Sequence, residues 1–221
     1  MPSSLRSFLA ILAAALLLSP SSFAFDTPLS DQAVREAYFL GQRHDESLAR
    51  FLNKYTNYLP PPETGPYIAS LTFFTPFALL AQLSSQRTMG YSAQQAALDD
   101  RAQAESVKII VQIYLTESYG ALIPRPTGSR SGSPTGYILR PSDFWKDFDV
   151  QVFSEDRELI SLTSSGEPTY LCSNDGGCNL TGATIQFEFL AKSFRSDSAT
   201  IQVTPPEGDP VSVEFNLVSL R

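Results

Sequence analysis

The chain has 221 residues, 43% of them hydrophobic, with 15 Phe and 9 Tyr, a composition that supports a packed core rather than disorder. A formal net charge of −7 repels phosphate backbones and anionic lipid, which disfavours nucleic acid and the membrane surface as partners. Two cysteines and one histidine leave little scope for soft-metal or imidazole chemistry.

The N-terminus reads as a secretory leader over residues 1–24. Arg6 supplies the positive end, Phe8 to Leu18 form a short apolar run, and Ser22-Phe23-Ala24 is a small-x-small cleavage pattern, with cleavage expected after Ala24. The run is too short to span a bilayer, where about 20 apolar residues are needed. No later stretch is long enough either, so no membrane insertion is expected after cleavage. The product is expected to be secreted or periplasmic.

Residues 25–62 form an expected helical segment. Ala33, Ala37, Gly41, His44, Leu48, Phe51, Leu52, Tyr55 and Leu59 recur at three- or four-residue spacing between Ser30 and Leu59. Ser30 is the expected N-cap, Asp31 complements the helix dipole, and Gly41 is a point where the helix can break in two. The prolines of "LPPPETGP" end it. The stripe serves either as cover for the core or as an interacting surface, and amphipathic burial favours cover.

Residues 63–221 are expected to form an antiparallel β-sandwich domain, Ig-like in general architecture, within an α+β fold. Tyr67 to Phe74 alternates at period two. Thr75-Pro76 predicts an N-cap followed by proline at the first helical position, and Ser92 predicts a second cap, placing a helical insertion at about 76–105. Val107 to Thr116 is dense in β-branched residues and predicts a strand at a sheet edge. Residues 124–136, rich in Pro, Gly and Ser, predict an exposed loop carrying Arg125 and Arg130, with Arg140 behind it; a solvated connector is expected over an anion-grasping loop. Further strands are expected at 148–153, 159–162, 169–172, 185–189, 201–203 and 211–217.

Three chemical assignments are open to Cys172 and Cys178. A zinc site wants four ligands, and a redox pair wants C-x-x-C at a helix start. Here Asn174-Asp175-Gly176-Gly177 is turn chemistry, so a disulfide across a hairpin is expected, favoured by an oxidising compartment. His44 is expected to be half-packed on the helix rather than catalytic, and no nucleophile, zincin or phosphate-loop motif occurs. Asp143, Asp147 and Asp149 surround Trp145, the only tryptophan. An ordinary solvated strand face is expected there, with Asp147 and Asp149 sharing it. Calcium coordination and carboxylate chemistry on a glycan are the weaker alternatives. Asn179-Leu180-Thr181 accepts a glycan only in a eukaryotic secretory pathway and is treated as a chance match.

No cofactor and no catalytic residue is expected. The reading is a non-enzymatic binding or assembly module with an unknown protein or glycan partner. A carboxylate-dependent glycan-active enzyme and a helper in envelope biogenesis are its rivals.

Overall fold

A computed structural model describes residues 25–87, 90–102, 104–124 and 136–221. The expected leader, its expected cleavage bond after Ala24, and Arg125 and Arg130 lie outside the described residues. The fold is mixed α and β, with antiparallel pairing between the described strands.

The expected helical segment is broken in two at Gly41, giving α1 (Asp31–Gly41) and α2 (Glu46–Asn53). The Ser30 side chain caps α1 by accepting from the Ala33 N–H. After α1 the chain turns through His44 at φ 50°, and the Asp45 side chain caps α2 by accepting from the Ser47 N–H. His44 is therefore exposed in a turn and not half-packed on the stripe. Residues past Lys54 are not helical: β1 (Thr56–Tyr58) pairs with β2 (Tyr67–Phe74).

The segment after β2 follows its predicted capping. Thr75 accepts from the Ala78 N–H and Pro76 opens α3 (Pro76–Gln86), while the Gln95 N–H donates to the Ser92 hydroxyl at the start of α4 (Ala93–Ala102). Next come β3 (Ser106–Tyr114) and a separate ribbon of β4 (Leu122–Pro124) with β5 (Tyr137–Leu139). The remaining strands are β6 (Asp149–Ser154), β7 (Arg157–Glu158), β8 (Thr163–Cys172), β9 (Cys178–Leu190), β10 (Ser198–Thr204) and β11 (Val211–Asn216).

One sheet runs β1-β2-β3-β9-β8 and a second runs β11-β10-β6-β7; both are open. The Val107 strand thus lies at the centre of its sheet, not at an edge. Its partner β9 is 13 residues long and matches it from Ser106↔Leu190 to Tyr114↔Gly182. The inward face of this strand packs into the core shared with the second sheet, which is why Val107, Ile109, Val111 and Ile113 are all buried. The edges fall to β1 and to β8, which starts at Thr163 in a polar stretch. Residues 159–162, expected as a strand, carry no strand assignment.

One core joins the sheets. Phe73 of β2 meets Phe215 of β11 at 5.6 Å between ring centroids and Phe194 at 5.1 Å, edge-on to the latter. Phe25, the first residue after the expected cleavage bond, packs on both Phe73 and Phe194. A second, smaller cluster lies under the helices. Ala33, Val34 and Ala37 of α1 are buried there with Phe77, Leu80 and Ala81 of α3, so the α1 stripe covers core. Gly41 lets the two helices approach, since a Cβ there would overlap the Ala81 carbonyl oxygen.

Candidate functional site

The sequence pointed first to Asp143, Asp147 and Asp149, and the fold does not join them. Phe144–Asp147 is a 3-10 turn, so Asp147 is not on a strand and does not share a strand face with Asp149, which opens β6. The turn forms because Phe144 and Phe148 are both drawn into the core, leaving Asp147 exposed between them. Asp143 is paired with Lys146 at 3.0 Å, which holds its carboxyl below the usual range. Among the described residues no group of three or more metal-ligating side chains occurs.

Trp145 is half-buried and lies over Gly166 of β8, where a Cβ would overlap the indole. The Lys146 ammonium sits 5.6 Å from the ring centroid. Gly166→Ala is expected to displace the indole and red-shift the emission of the sole tryptophan, at a cost of about 1–3 kcal/mol. Emission identical to wild type would show that the ring is not held on that glycine.

Cys172 and Cys178 are cross-strand partners at the end of the β8–β9 hairpin, with their sulfurs 2.00 Å apart, disulfide-bonding distance. The turn between them is held by Ser173: its N–H donates to the Gly177 carbonyl, and the single proton of its hydroxyl is shared between that carbonyl and the Asp175 carboxylate. Gly176 takes φ 88°, a conformation that suits glycine. Closing so short a loop contributes about 2 kcal/mol by chain entropy. Reduction is therefore expected to lower the denaturation midpoint modestly while the fold persists; loss of the fold on reduction would assign the bond a larger role.

One concavity was not legible in the sequence. It is a cleft of about 470 Å³ between α3, the end of α4 and the outer face of β3 and β9. Leu79, Leu80, Leu83 and Ile110 provide its apolar lining. Its size falls within the range of about 300–1,000 Å³ typical of ligand sites. The arrangement follows from strand alternation. With Ile109, Val111, Ile185 and Phe189 turned inward, Lys108, Ile110, Gln186 and Glu188 must face out, towards α3.

The charges around the cleft are unevenly matched. Arg87 bonds Asp99 at 3.0 Å and stacks on the Tyr91 ring. Lys108 lies 3.9 Å from Glu188. Glu105 accepts from the Thr27 hydroxyl and the Leu29 N–H, which ties the chain ahead of α1 to the start of β3. Asp100 forms no salt bridge among the described residues. Partial burial, and then the nearby Glu105 carboxylate, push its carboxyl above the usual range.

That shift has a sign that can be measured. The folded state holds the Asp100 proton more tightly than the unfolded chain does. Its stability contribution is therefore full below the ordinary carboxylate range and is lost as pH rises through the raised one. Asp100→Asn is expected to raise the melting temperature near pH 7, with the gain vanishing by about pH 3. A variant less stable than wild type near pH 7 would contradict this.

No protein-family model matches the chain, and no curated protein matches it.

Proposed function

We propose that the protein is an exported, non-enzymatic binding module, and that the cleft beneath α3 is its recognition surface. The observation that carries the reading is the cleft itself: a concave site where leucines and unevenly matched charges converge on the outer face of a rigid sheet. The scaffold is read as a β-sandwich of Ig-like general architecture, its two sheets sharing one aromatic core.

Export rests on the leader pattern and is supported by the bonded cysteine pair, a feature of oxidising compartments. Cleavage after Ala24 is supported by the burial of Phe25 between Phe73 and Phe194, since cleavage beyond it would remove a core ring. Among the described residues no helix is long and apolar enough to cross a membrane.

Peptide and glycan arrays probed with the exported protein test the reading. Specific binding that is lost in Leu83→Gln is expected. Hydrolysis of any arrayed glycan that disappears when Asp143, Asp147 and Asp149 are changed to Asn would overturn it in favour of the carboxylate enzyme.

A further inference from the structure

We propose that the ligand of this cleft is a segment of a partner polypeptide that presents a lysine or arginine between apolar side chains. The inference rests on the cleft being the recognition surface and adds the chemistry of its occupant. Leu79, Leu83 and Ile110 offer an apolar bed. Around it stand four carboxylates, Asp99, Asp100, Glu105 and Glu188, and two cations, Arg87 and Lys108.

Both cations are already engaged: Arg87 holds Asp99 at 3.0 Å and Lys108 lies beside Glu188 at 3.9 Å. The excess is negative and localised. Asp100, at the end of α4, and Glu105, ahead of β3, both line the cleft, and Glu105 is met by neutral donors from Thr27 and Leu29. Arg101, the nearest cation in sequence, is turned to Asp31 at 2.8 Å. An excess of carboxylates beside an apolar bed matches an ammonium or guanidinium borne on a hydrophobic segment. The same field repels an anionic ligand, and an uncharged apolar ligand would leave Asp100 desolvated without a counter-ion.

The test uses fluorescein-labelled, acetylated and amidated hexapeptides of sequence LKALRL, LQALQL and LEALEL, with binding followed by fluorescence anisotropy. The cationic peptide is expected to bind at least about tenfold more tightly than the neutral one. Asp100→Asn is expected to lose about tenfold in affinity for it while its melting temperature near pH 7 rises, so that the loss is not one of folding. Glu214→Gln, which removes an equal charge from β11 in the other sheet, should leave affinity unchanged and so separates a local site from bulk attraction. Equal losses from the two variants overturn the proposal. Tighter binding of LQALQL, abolished by Leu83→Gln, overturns the cationic ligand while leaving the cleft as the recognition surface. Array ligands unaffected by Leu83→Gln, together with no binding of any hexapeptide, would overturn both.

Discussion

Phe73→Ala is expected to destabilise the protein by about 3–5 kcal/mol, which for a chain of this size lowers the melting temperature by on the order of 10 °C. Phe73 is fully buried at the meeting point of three other rings, Phe25, Phe194 and Phe215. These rings come from the segment before α1, from the turn after β9 and from β11. Removing the phenyl group forfeits its transfer free energy and leaves a cavity that rings anchored in different elements cannot jointly collapse to fill. Phe73→Leu retains most of the volume and should cost appreciably less. Thermal denaturation of both variants checks the ordering; a Phe73→Ala protein as stable as wild type would mean that the two sheets do not depend on this contact.

The second large effect is expected at Gly182, where a side chain would meet backbone rather than another side chain. Gly182 is paired with Tyr114 of β3, and a Cβ on it would overlap the Ile113 carbonyl oxygen. On its other side it pairs with Thr169 just where the β8–β9 register shifts, and the neighbouring Thr181 hydroxyl donates to the Thr169 carbonyl. Gly182→Val must therefore push β9 away from β3 in a sheet whose central pairing they form. A loss of about 3 kcal/mol is expected. Amide exchange localises it: the Leu115 N–H, bonded to the Thr181 carbonyl, should lose protection before the amides near Val107. Uniform loss of protection across β3 would show that the strain is not confined to that end.

Local chemistry made much of the fold legible. Ser30, Thr75 and Ser92 cap helices as their residue types require, and Pro76 opens one. The two cysteines face each other because the turn between them is built from Ser, Asn, Asp and Gly. What failed depended on partners distant in sequence. The β-branched run at Val107 marks a strand, but only β2 and β9 on either side make it central. Thr163 to Glu167 carries no apolar alternation because an edge strand pairs through its backbone while its side chains stay exposed. His44 shares the helical spacing of its neighbours, yet the Asp45 cap restarts the helix and removes it from the stripe.

The cleft illustrates the same limit at the site. Leu83, Asp100, Ile110 and Gln186 come from two helices and two strands, and each follows an ordinary local pattern. The cluster that did stand out, Asp143 to Asp149, owed its density to an amphipathic turn that buries Phe144 and Phe148. Charge excess at the cleft is a property of the folded chain alone. Arg87 and Lys108 are paired with Asp99 and Glu188, the latter 80 positions further on than Lys108, and Arg101 is paired with Asp31 of α1.

Amide chemical-shift mapping of the disulfide-bonded protein, titrated with the tightest array ligand, tests the proposed recognition surface most directly. Perturbations are predicted to centre on Leu79, Leu83, Asp100, Ile110 and Gln186, with β10 and β11 silent. Perturbations confined to the β8–β9 hairpin tip or to β10–β11, with the cleft amides unmoved, would contradict the account.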